Sequence, residues 1–124
     1  MDDKQKATLV KLFCSLEGRT KLAKALTTSL QKQLHKHRPP VFENVRVEPF
    51  EAVFTSSTEE HQETLACALL RYVTRTKEDL RHKEEELVNT HGPIVELSPL
   101  LVEPWDSQNE VGLRVSIIWG VPNG

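Results

Sequence analysis

Histidine and cysteine are the residue types in this 124-residue chain best suited to catalysis or metal binding, and their spacing does not assemble a site. His35 and His37 stand two apart. On a helix that separates them by about 200°, whereas a helical metal pair needs a spacing of three or four. His61 adjoins Glu60 and diverges from it in the same way. His82 lies among Arg81, Lys83 and the acidic run Glu84, Glu85 and Glu86, which reads as a solvated helix surface, and His91 falls at a helix end. All five histidines are therefore expected to be exposed or capping. Cys14 and Cys67 lie among apolar helical residues with no second thiol at metal or redox spacing, so both are expected to be reduced, inert core residues. Carboxylates are plentiful but sit on polar faces or in turns, without an apolar pocket to raise one pKa for acid–base work. Five glycines leave little material for a phosphate cradle, and no nucleophile elbow or paired Cys-x-x-Cys occurs. No metal or cofactor requirement is expected.

Charge is distributed far more informatively. Up to Arg38 there are nine basic residues against three acids, a net of +6, and beyond it seven against fifteen, a net of −8. Such asymmetry suits either a polyanionic partner or attraction between the ends of different copies. Lys21, Lys24, Lys32, His35 and Lys36 fall on one side of a helical segment and form a candidate basic partner-binding surface. The stripe lacks the arginine that reads guanine bidentately and the aromatics that stack single-stranded bases, which favours a solvated helix face first and a protein surface next, ahead of nucleic acid. Trp and Phe are absent from its apolar side, so membrane binding is not expected.

The elements that must carry these residues follow from periodicity and punctuation. Leu9, Val10, Phe13, Cys14 and Leu16 mark a short first helix over 4–17, with Gly18 as its natural break. Leu22, Leu26, Leu30 and Leu34, with Ala25 beside them, give an amphipathic second helix that Pro39 and Pro40 stop near His37. Val41 to Thr55 reads as a strand bent or bulged at Pro49, alternating through Val45 and Val47 and resuming with Phe50, Ala52 and Phe54; its proline suits an edge. Ser57 and Glu60 can form a capping box that opens a long helix over 57–90, ended by Gly92 and Pro93. Ile94 to Val102, again with a proline, and Val111 to Val121 complete the strands, the latter alternating cleanly. The segments Val47-Glu48-Pro49-Phe50 and Val102-Glu103-Pro104-Trp105 echo each other, but nothing outside them aligns.

The sequence thus predicts one α+β domain over 1–124. Residues 1–38 form a basic helical hairpin, and residues 41–124 a small antiparallel sheet packed on the long helix. Along that helix Ala66, Leu69, Val73, Thr76, Leu80, Lys83 and Leu87 alternate spacings of three and four, the pattern of a seam between two helices. Leu69, Val73, Leu80 and Leu87 are accordingly the candidate oligomer interface. The expected function is a non-catalytic, self-associating assembly or adaptor subunit, for example of a larger homomeric or phage-particle-like structure, with itself and other proteins of that assembly as partners. The alternatives are a nucleic-acid-binding regulator using the basic hairpin and an enzyme whose site lies between subunits. The segment MDDKQKATLV lacks the apolar run of a signal peptide, and no stretch approaches the roughly 18 apolar residues of a membrane span, so a cytoplasmic location is expected.

Overall fold

A computed structural model describes residues 2–37, 44–57 and 61–123. Its elements run α1 (Asp3–Phe13), α2 (Leu16–Gln31), β1 (Val45–Ser56), α3 (Gln62–His91), β2 (Val95–Asp106) and β3 (Val111–Pro122), an α+β order in which helices pack on a three-stranded antiparallel sheet. Asp2 opens α1 through a reciprocal capping box with Gln5. The first two helices are divided by Cys14 and Ser15 rather than by Gly18: Ser15 caps α2 by accepting from the Gly18 N–H at 3.0 Å. Gly18 is instead buried in the first turn of α2, where a Cβ would collide with the Leu12 carbonyl oxygen, so its lack of a side chain permits close packing on the end of α1.

The start of α3 also differs from expectation. His61 caps the helix through Nδ1, which accepts from the Glu63 N–H at 3.3 Å, and the capping box with Glu60 lies outside the described residues. Its other end is as read, with Gly92 at φ +78, a conformation that L side chains rarely adopt.

Sheet order is β1-β3-β2. The proline-free interior of β3 takes the centre, where both sides of the backbone must bond, while Pro49 lies in one edge strand and Pro99 and Pro104 in the other. Around Pro99 the β2 register shifts between Glu96 and Ser98 and again before Leu101. β2 runs four residues past Val102, taking in Pro104 and Trp105. The sequence echo is not a structural equivalence: Phe50 pairs with Ile117 on the helix-covered face, whereas Trp105 pairs with Gly112 on the opposite one.

One apolar core draws on all three helices and on one face of the sheet, where Leu113, Val115, Ile117, Trp119 and Val121 of β3 alternate inward. Phe13 meets Phe54 edge-on with ring centroids 5.5 Å apart, which seats the end of α1 over β1. Leu69, Leu80 and Leu87 lie in this core, and Val73 is half-buried. The seam along α3 is therefore covered by the chain's own α1 and sheet, and its leucines do not present side chains to a second copy. The three–four spacing did not distinguish a partner helix from the chain's own core, because Leu80 and Leu87 fall on the stripe of α3 that is buried within the domain.

Cys14 and Cys67 are both exposed rather than buried. Cys14 follows buried Phe13 at the helix break, and Cys67 lies between buried Ala66 and half-buried Ala68 on the outer side of α3, with its thiol 3.6 Å from Glu63 Oε1. Glu84 reverses the reading of the acidic run as solvated. It is 2% exposed, accepts the His35 N–H with both carboxylate oxygens (3.2 and 3.1 Å), and meets His37 Nε2 at 3.0 Å. Glu85 and Glu86 beside it do face solvent.

Candidate interaction surface

β3 alternates between two environments. Its helix-side residues are buried, whereas Arg114, Ser116 and Ile118 on the other face are only half-buried, although they belong to the central strand. Among the described residues no helix crosses this second face, and the flanking strands leave it apolar. Val47 (55% exposed), Val53 (41%), Leu97 (48%), Leu101 (48%) and Trp105 (39%) are most of the large exposed hydrophobics among the described residues. Their placement follows from register: Val47 pairs with Gly120, Val53 with Arg114, Leu101 with Ser116 and Trp105 with Gly112, all of one parity. At one end the side chains of Val45, Val95 and Leu97 close over Gly120, filling the space its missing side chain leaves.

At the other end Arg114 is held by two neighbours from β2. Its guanidinium pairs with Glu103, directly opposite in the register, and stacks 4.9 Å from the centroid of the Trp105 ring. A guanidinium over an aromatic face is favourable, and the carboxylate removes its net charge. Glu51 also lies on this face, and Glu110 reaches its rim, where its carboxylate accepts from Thr55 Oγ1 at 2.6 Å. The surface is consequently broad and largely apolar, with its few charges at Arg114, Glu103, Glu51 and the rim residue Glu110, unlike the charged helical exterior.

Both sheet edges are partly occupied from the helical layer. Tyr72 Oη donates to the Ala52 carbonyl on β1 at 2.9 Å, and Thr27 Oγ1 accepts the Val102 N–H on β2 at 3.0 Å. Burial is the main cause that pushes the Tyr72 hydroxyl up to about 12. On the β1 side, Glu48 bridges Arg46 (2.9 Å) and Lys83 of α3 (3.6 Å), and Arg46 also meets His91 Nε2 at 3.1 Å. Pairing by edge extension is therefore blunted while the open face is not.

The basic residues Lys21, Lys24, Lys32, His35 and Lys36 are all exposed; Lys21 to Lys32 lie on α2 and its cap, and His35 and Lys36 on the segment that follows. Lys21 pairs with Glu17 one turn earlier at 3.6 Å, an arrangement worth only a few tenths of a kcal/mol. α2 packs on β2 through Ala23 and Leu30, with Ala25 turned outward. The basic stripe and the open sheet face thus lie on opposite layers. The histidines are not brought together, and among the described residues no group of three His, Cys, Asp or Glu side chains could hold a metal ion. Among the described residues, no helix is long and apolar enough to cross a membrane.

The open face was missed in the sequence, yet a signal for it exists. The alternation through Val45 and Val47 changes parity before resuming at Phe50, Ala52 and Phe54. An unbroken strand that changes parity carries apolar residues on both faces. Comparison with protein-family models, with curated proteins and with solved structures finds no match for this chain.

Proposed function

We propose that this protein is a non-catalytic assembly or adaptor subunit that self-associates, as a building block of a larger homomeric, particle-like structure. The observation that supports this reading is the open sheet face, whose five most exposed apolar side chains lie together on one layer. Contiguous apolar surface of that extent is characteristic of interaction sites, because its removal from water is worth about 25 cal/mol per Å². The basic stripe on α2 and the acidic remainder of the chain add a second, charge-complementary means of growth between copies. An aqueous, cytoplasmic setting suits both surfaces.

Light scattering across protein concentration, at low and high salt and with and without duplex nucleic acid, tests the reading. The expected result is a mass above 14.1 kDa at high micromolar concentration that survives high salt, since apolar burial is not screened, with any larger species dissolving as salt rises. A mass that stays monomeric throughout contradicts it. Mass gained only on adding nucleic acid, and lost at high salt, favours regulation through the lysines of α2 instead.

A further inference from the structure

Resting on that reading of self-association, we infer that two copies pair sheet face to sheet face, giving a two-layer sandwich of six strands with the helices outside. The occupant of the open face is a second copy for three reasons. Area is the first. Each strand is 12 residues long, so a face about 40 Å by 14 Å offers about 560 Å², and two such faces bury about 1,100 Å² together, above the roughly 1,000 Å² that a specific interface requires.

Electrostatics is the second. A surface can meet its own copy only if like charges are not brought together, and among the described residues of this face Arg114 is neutralised by Glu103, which leaves only Glu51 and, at the rim, Glu110 without a cation. The α2 stripe, by contrast, would set lysine against lysine. Access is the third: each edge is engaged at one point, by Tyr72 and by Thr27, and is interrupted by proline, which disfavours edge pairing and leaves the face as the more open route. Trp105, pinned by Arg114 and Glu103 beside Gly112, is the aromatic anchor of this interface.

Ser116, at the middle of the central strand and of the open face, reports the geometry. In a background with Cys14→Ser and Cys67→Ser, the Ser116→Cys protein is treated with a bis-maleimide spanning about 10 Å, the separation of packed sheets. Lys24→Cys on α2 is the control, and light scattering gives the mass of each sample. A covalent dimer from Ser116→Cys and none from Lys24→Cys is the expected result. Adding Leu101→Asp, a change at an exposed position, should abolish cross-linking and return the mass to 14.1 kDa while leaving the urea midpoint within error at nanomolar concentration, where both proteins are monomeric, and Leu97→Asp should behave alike. A dimeric mass with cross-linking through Lys24→Cys alone overturns the face-to-face arrangement and leaves self-association standing. A monomeric mass at every concentration overturns both.

Discussion

Glu84 offers the sharpest test of how the hairpin is fastened to the long helix. Its carboxylate is 2% exposed and holds two groups that follow α2, the His35 N–H and the His37 ring. Glu84→Ala leaves both without that acceptor in a half-buried setting. Each lost partner costs about 1–3 kcal/mol, hence about 2–6 kcal/mol for the two. Set against the 5–15 kcal/mol that typically stabilises a domain, even the lower end is more than a tenth of the total. Glu84→Gln keeps an acceptor oxygen for the His35 N–H and fills the same space, so about 1 kcal/mol is expected for it. Urea unfolding monitored by circular dichroism reads both, with the midpoint shifting and the slope unchanged. His37→Ala in combination should show coupling, the double variant losing less than the sum of the singles. If Glu84→Ala shifts stability by under about 0.5 kcal/mol, the size of an ordinary surface substitution, the buried fastening is refuted.

Two further outcomes follow from single positions. Tyr72 is the sole tyrosine, so ultraviolet titration should show one ionisation near 12. Because its folded-state value is raised, the stability it contributes is present below the unfolded value of about 10 and lost as pH rises from there toward about 12; ionisation at the ordinary value in folded protein would contradict its burial. Gly18→Ala should lower the melting temperature, the collision with the Leu12 backbone costing about 1–3 kcal/mol and outweighing the gain in helix propensity of about 1 kcal/mol; a rise in melting temperature would contradict the close packing.

Local rules made much of the fold legible. Prolines 49 and 99 placed their strands at edges, the alternation from Val111 to Trp119 marked the cleanest strand, and Gly92 ended the long helix, because each is decided by backbone chemistry within a few residues. Gly18 misled because a glycine next to a helix boundary serves equally as a break and as a site of close packing, and only the path of α1 decides which. The three–four seam misled for a related reason: a stripe on a helix is the same pattern whether it meets a partner or its own sheet. Glu84 could not be told from Glu85 and Glu86 without knowing that the chain after α2 returns to α3 at that turn. The open sheet face was half-legible, in the parity change within β1, but its extent depends on three strands lying side by side in a register that no local signal supplies.

Trp105 tests the central claim most directly, because it lies on the open face at 39% exposure while Trp119, the other tryptophan, is fully buried in the core. Collisional quenching of tryptophan emission by acrylamide is measured from nanomolar to high micromolar protein. The account predicts a quenchable fraction, contributed by Trp105, that shrinks as concentration rises and returns in Leu101→Asp. A quenchable fraction that stays constant across the whole range would contradict it.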